Sequence, residues 1–129
     1  MIIDTSAMVS ILRGENDAGV LLDVVSGARQ RNVSAASILE LTIVLSDPTD
    51  SLIDDFLDDA KIVVLDVDTD HLRWARHAHR IYGRGSGSPA KLNFGDCLVY
   101  GAAKATASPL LYKGNDFSHT DVRPAVRVR

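Results

Sequence analysis

Met1-Ile2-Ile3-Asp4-Thr5-Ser6 opens the chain as a short apolar run that stops on a carboxylate, and the pattern returns at Pro109-Leu110-Leu111-Tyr112-Lys113-Gly114-Asn115-Asp116. Short continuous apolar runs bounded by polar or turn residues read as strands buried on both faces. Each of these two would deliver an acid at or just beyond its carboxyl end. In open α/β sheets that is the edge where ligands bind.

Working outward, residues 1–4 predict a strand, followed from about Ser6 by a helix carrying Met8, Val9, Ile11 and Leu12 and closed by Gly14. Asn16-Asp17 then caps a second helix bearing Val20, Leu21, Val24 and Val25, which ends at Gly27. Residues 33–35 predict the next strand. Ser37 is expected to cap a helix that holds Glu40 in its first turn and Leu41, Val44 and Leu45 on its core side. Asp47-Pro48-Thr49-Asp50 breaks the chain before a helix with Leu52, Ile53, Phe56, Leu57 and Ala60 at helical spacing. Its other face carries Asp54, Asp55, Asp58 and Asp59, which read as a solvated face rather than a second metal site.

Ile62-Val63-Val64-Leu65 predicts a buried parallel strand, and Asp68-Thr69-Asp70 the cap of a helix with Leu72, Ala75, Ala78, Ile81 and Tyr82 inward. Arg73, Arg76, His77 and Arg80 lie elsewhere on that helix; His71, His77 and His79 read as surface histidines, since residues two apart on a helix face different ways. Residues 83–91, Gly-Arg-Gly-Ser-Gly-Ser-Pro-Ala-Lys, have the composition of a mobile loop and match no phosphate-binding glycine motif. Asn93 to Asp96 enter a helix with Leu98, Val99, Ala102 and Ala103 inward, so Asp96 sits in the first turn at the positive end of the dipole. Residues 126–128 predict a last edge strand after Pro124.

Composition bounds the alternatives. The 129 residues, 46% of them hydrophobic, suit a single domain over residues 1–129. Cys97 stands alone and forms no intramolecular disulfide, the start of the chain lacks the look of a signal peptide, and no apolar run suits a membrane helix, so a cytoplasmic protein is expected. The net charge of −3 conceals a division: residues 1–70 carry 14 acids and 4 bases, a balance of −10, whereas residues 71–129 carry 3 acids and 10 bases, a balance of +7. An acidic centre ringed by Arg and Lys would suit a phosphate backbone, and overall acidity does not exclude nucleic acid.

Asp4, Glu40, Asp96 and Asp116 are far apart in sequence, and each lies beside apolar residues. Carboxylates held in such places need a positive partner to offset desolvation. Oxygen donors without a His or Cys cluster favour Mg²⁺ or Mn²⁺ over zinc, and water activated by such an ion suits phosphodiester cleavage. The four acids therefore point to a metal-dependent nuclease. A non-cleaving RNA- or protein-binding module is the alternative. A Mg²⁺-dependent phosphatase is disfavoured, because the position two residues after Asp4 is Ser6 rather than a second Asp.

The Asp-Thr-Ser-Ala start, Glu40 in an early helix, Asn93-Phe94-Gly95-Asp96-Cys97, and the run from Pro109 to Phe117 occur in an order that resembles the PIN domain, and more narrowly the VapC-type toxins of type II toxin–antitoxin pairs. That resemblance covers nearly the whole chain. It implies an α/β fold with a mostly parallel central sheet flanked by helices. It also implies an endoribonuclease that stops translation, with transfer RNA favoured as substrate, a cognate VapB-type antitoxin as inhibitor, and a homodimer. By the same resemblance Asp4 and Asp96 are the most direct metal ligands, while Glu40 and Asp116 bind a second ion or orient water. Ser6 would cap its helix or donate to a ligand water or Asp116. Ser6, Arg84, Lys91 and Lys113 are the candidate RNA contacts, Arg84 and Lys91 because their loop could close over a phosphate backbone and Lys113 at the scissile phosphate. Lys113 departs from the family pattern, which usually has threonine or serine there, and Asp121 reads as a turn residue rather than a fifth acid.

Overall fold

The computed structural model describes residues 1–126. Four parallel strands, β1 (Ile2–Ile3), β2 (Asn32–Ser34), β3 (Val63–Leu65) and β4 (Leu110–Leu111), form one sheet in the order β3-β2-β1-β4. The helices are α1 (Thr5–Arg13), α2 (Ala18–Gly27), α3 (Ala35–Leu45), α4 (Ser51–Ala60), α5 (Thr69–Tyr82) and α6 (Phe94–Ala105), followed by a short 3₁₀ turn at Phe117–His119. The α/β class and the flanking helices are as the sequence predicts.

Successive strand residues face opposite ways, so each strand serves two cores. Ile2 and Leu110 join Ala75, Ala78, Tyr100 and Ala103 on the α5–α6 side. Ile3 and Leu111 join Met8, Val25, Leu41 and Ile53 on the other. All four strand residues are 0–1% exposed, which is why their sequence is apolar without alternation. From β1 the chain proceeds outward to β2 and β3, then crosses back to β4 on the other side of β1. That reversal opens a crevice at the carboxyl ends of β1 and β4, where a doubly wound sheet binds ligands.

Gly14 closes α1 at φ +64°, as expected. Four inward faces differ from their predictions. α3 begins at Ala35, capped by the Ser34 side chain, so Ser37 lies inside the helix, Glu40 in its second turn, and Val44 is exposed. Leu52 points to solvent while Ile53 and Leu57 carry the buried stripe of α4; Asp54, Asp55, Asp58 and Asp59 are solvated as predicted. β3 is parallel but forms the edge of the sheet, leaving Val63 and Val64 exposed. The inward face of α5 is rotated: His71 is 3% exposed and buried against α6, whereas Leu72 and Ile81 face outward. His79 is a surface residue, and His77 is half-buried between Trp74 and Tyr100.

Gly101 permits the close packing of that face. A Cβ there would stand 2.3 Å from the His71 carbonyl oxygen, so α5 and α6 touch backbone to backbone at this point. Residues 83–91 fold as consecutive turns held by Ser86 and Ser88 hydroxyls. Pro124 bridges to Leu110, and Val126 is not in a strand; residues 127 and 128 of the predicted last strand lie outside the described residues. Among the described residues no helix is long and apolar enough to cross a membrane.

Candidate active site

Asp4 leaves β1 in extended conformation and caps α1, its Oδ2 accepting the Ser6 N–H at 3.1 Å. The Asp4 N–H donates to the Leu111 carbonyl at 2.9 Å, which locks the end of β1 beside β4. Ser6 is thus neither the cap of α1 nor a donor to Asp116. Its Oγ donates to Asp4 Oδ2 at 2.5 Å and accepts the Lys113 N–H at 2.9 Å, joining the two strand ends.

Asp96 stands in the first turn of α6 in a reciprocal cap. The Asn93 side chain accepts the Asp96 N–H at 2.8 Å, and Asp96 Oδ2 accepts the Asn93 N–H at 3.1 Å. Glu40 reaches the same place from α3. Its Oε2 lies 2.7 Å from the position a Cβ on Gly95 would take, so the glycine makes room for the carboxylate one residue before Asp96. Asn93 and Gly95 were absent from the sequence-based candidates; the capping pattern Asn-x-x-Asp was the readable signal for the first, and nothing local marks the second.

Charge links the four acids. Burial pushes Asp4 up to about 6 against the two hydrogen bonds from Ser6, and the negative charges of Asp96 and Glu40 add to the rise. Burial likewise raises Asp96, opposed by the Asn93 N–H; Asp116 and Glu40 push in the same direction as burial, and Arg84 against it. Asp116 lies on the exposed loop after β4. Asp4 is thus coupled by charge to Asp96 and Glu40, and Asp96 to Asp116, Glu40 and Arg84.

The other basic candidates are placed differently. The Lys113 amine meets Glu15 Oε1 at 3.1 Å and Asp17 Oδ1 at 3.3 Å, at the α1–α2 connection. Lys91 is exposed on the loop before Leu92 at φ +49°. Asp121 accepts the Tyr100 hydroxyl at 2.8 Å and pairs with Lys104 at 3.0 Å, which is a structural role apart from the four acids.

The donor set suits a hard divalent ion, since it is all carboxylate oxygen and Arg84 opposes the repulsion only in part at Asp96. Among the described residues no three His, Cys, Asp or Glu side chains stand close enough to enclose one ion. The fit is thus to an ion held by one or two carboxylates and otherwise by water and substrate oxygens, as Mg²⁺ prefers.

The PIN domain family model matches residues 1–123. Ribonuclease VapC28 of Mycobacterium tuberculosis is 48% identical over 130 residues, spanning 98% of this chain and 98% of its own. Among solved structures, a toxin-antitoxin complex from Klebsiella pneumoniae superposes with a TM-score of 0.73 at 14% identity, covering 98% of both chains. VapC20 of Mycobacterium tuberculosis, described as a sarcin-ricin loop cleaving toxin, superposes at 0.69 with 15% identity, covering 95% of this chain and 98% of its own. With the matched domain, the near full-length identity and the shared fold together, this chain belongs to the PIN-domain family, among the VapC ribonucleases.

Proposed function

We propose that this protein is a metal-dependent endoribonuclease toxin that inhibits translation by cutting RNA. The observation that carries the reading is the coupling of Asp4 at the end of β1 with Asp96 at the start of α6, both raised by burial and by acidic neighbours, Glu40 acting on each and Asp116 on Asp96. So much unneutralised negative charge at a ligand-binding edge calls for a cation.

Asp4 and Asp96 are the residues that would hold Mg²⁺, or Mn²⁺ in its place. Such an ion supplies Lewis acidity toward water and phosphate oxygens. Ser6 fixes the orientation of Asp4, and the reciprocal cap with Asn93 fixes Asp96. Glu40 and Asp116, both of which act on Asp96 by charge, would orient the attacking water, which displaces the leaving ribose oxygen in line. Arg84, whose charge already reaches Asp96, meets the incoming phosphate. Lys91 is free to contact the backbone farther out, while Lys113 is engaged with Glu15 and Asp17 and would have to leave them to do so.

Transfer RNA is the favoured substrate, and a cognate VapB-type antitoxin the inhibitor, of a cytoplasmic homodimer. The relatives' names support the ribonuclease class, and the Klebsiella complex supports an antitoxin partner. The test is incubation of the antitoxin-free protein with total RNA and Mg²⁺ or Mn²⁺, mapping the ends beside an EDTA control and Asp96→Asn. Discrete cuts lost in both controls are expected, and their positions separate transfer RNA from ribosomal RNA. Intact RNA with folded, RNA-binding protein would instead establish the non-cleaving binding module.

A further inference from the structure

Phe94 is 85% exposed, the most exposed of the large apolar side chains among the described residues. It occupies the first position of α6, directly ahead of Gly95 and Asp96, so the backbone holds the ring at the rim of the acidic crevice. On one side of it lies a cleft of about 630 Å³ lined by Leu72, Leu98 and three arginines, Arg76, Arg80 and Arg84. Among the described residues no acidic side chain lines that cleft. Among the described residues none of the three arginines has an ion-pair partner, whereas Arg73, one turn earlier, is paired with Asp70.

We propose that Phe94 and this arginine track form a landing platform for single-stranded RNA, in which one base stacks on the Phe94 ring while neighbouring phosphates sit on Arg80 and Arg84. The inference rests on the nuclease reading and adds the path by which substrate reaches the acids. An exposed ring beside unpaired cations is the chemistry of single-strand recognition, where bases stack on aromatic faces and the backbone follows positive charge. Duplex RNA hides its bases from such a ring. A protein partner would gain from the apolar walls but would have to bring its own acids to meet Arg76, Arg80 and Arg84; RNA meets both needs with one strand. Arg84 connects the track to the site, since its charge already acts on Asp96. A phosphate held there would be within the electrostatic reach of Asp96.

The test measures binding of a fluorescein-labelled single-stranded oligoribonucleotide, and of its duplex, in EDTA to the full chain, with mass in solution followed by light scattering and cleavage assayed separately with Mg²⁺. Phe94→Ala is expected to weaken single-strand binding about tenfold, with Phe94→Tyr restoring it and the apolar but unstacking Phe94→Leu failing to. Arg80→Gln should lower the dependence of log affinity on log salt by about one phosphate contact. Unchanged binding by Phe94→Ala and Phe94→Leu overturns the platform. So does a change in mass on Phe94→Ala, which would assign the ring to an interface between protein chains. If the wild type cuts RNA but binding ignores Phe94, the platform alone fails; if RNA binds through Phe94 and is never cut, the nuclease reading alone fails.

Discussion

Glu40 and Gly95 are complementary: the carboxylate of one fills the volume where the other would carry its first side-chain atom, with 2.7 Å between Oε2 and that position. Glu40 arrives from the second turn of α3 and Gly95 from the first turn of α6, so this contact brings an acid of one helix against the cap that holds Asp96. Gly95→Ala would push the Glu40 carboxylate out of its place. The helix itself should not suffer, because alanine is the better helix former by about 1 kcal/mol. The expected outcome is a melting temperature at or slightly above wild type with cleavage reduced on the order of a hundredfold, the scale of a misplaced catalytic group. A loss of stability parallel to the loss of activity would show that the glycine serves packing alone.

The raised pKa of Asp4 has a sign that denaturation can read. With its folded value near 6 and an unfolded value of about 3.9, the folded state keeps a proton that the unfolded state has lost across roughly pH 4 to 6. The stability from this group is therefore fully present below about pH 4 and disappears as pH rises through about 6, a loss of about 3 kcal/mol at one site. Urea unfolding in EDTA should show stability falling over that window, and Asp4→Asn, which still caps α1, should flatten the fall. Added Mg²⁺ should recover more stability at pH 7 than at pH 5. A wild-type profile that rises with pH there would mean the carboxylate is better accommodated ionised.

Ser6 supplies the hydrogen bonds that work against that rise. Ser6→Ala removes the 2.5 Å bond to Asp4 and leaves the Lys113 N–H without its 2.9 Å acceptor. A hydrogen bond to a charged group contributes about 1.5–3 kcal/mol, so a cost of that order is expected at pH 7, shrinking at pH 4 where Asp4 is neutral. Carbon-detected NMR of the Asp4 carboxyl should show its midpoint moved upward. A midpoint that stays in place would mean that the backbone N–H of Ser6, not the hydroxyl, governs the carboxylate.

Much of this arrangement was legible in the chain because it is local. The strand runs at Ile2-Ile3 and Leu110-Leu111, the Gly14 stop, and Asp96 in the first turn of α6 follow from composition and capping chemistry alone. The roles that depend on the fold were not. Apolar continuity in Val63-Val64 looks the same at a sheet's edge as at its centre, and only strand order distinguishes the two. Ser34 and Ser37 are equally good caps by residue type; the register of β2 selects Ser34. Ser6 as a bridge from Asp4 to Lys113 spans 107 residues, a separation at which no local pattern exists. The ordered motifs single out the four acids, and the sheet reversal places Asp4 and the loop that carries Asp116 beyond the carboxyl ends of the adjacent strands β1 and β4.

Gly101 is the position where a single methyl should unmake the site from a distance. Its Cβ would fall 2.3 Å from the His71 carbonyl and 3.2 Å from the Ala75 nitrogen, both backbone atoms that no rotamer change can move. α5 and α6 would have to separate, and α6 carries Phe94, Gly95 and Asp96 at its start. Overpacking of a tight core contact costs about 1–3 kcal/mol, from which the better helix propensity of alanine recovers at most about 1. Gly101→Ala is thus expected to lower stability by about 2 kcal/mol in urea unfolding and to reduce cleavage even at temperatures where the protein is fully folded. Gly19→Ala is the control, because nothing lies within 4 Å of a Cβ there. Equal stability of the two variants would mean that the α5–α6 crossing is looser than 2.3 Å implies.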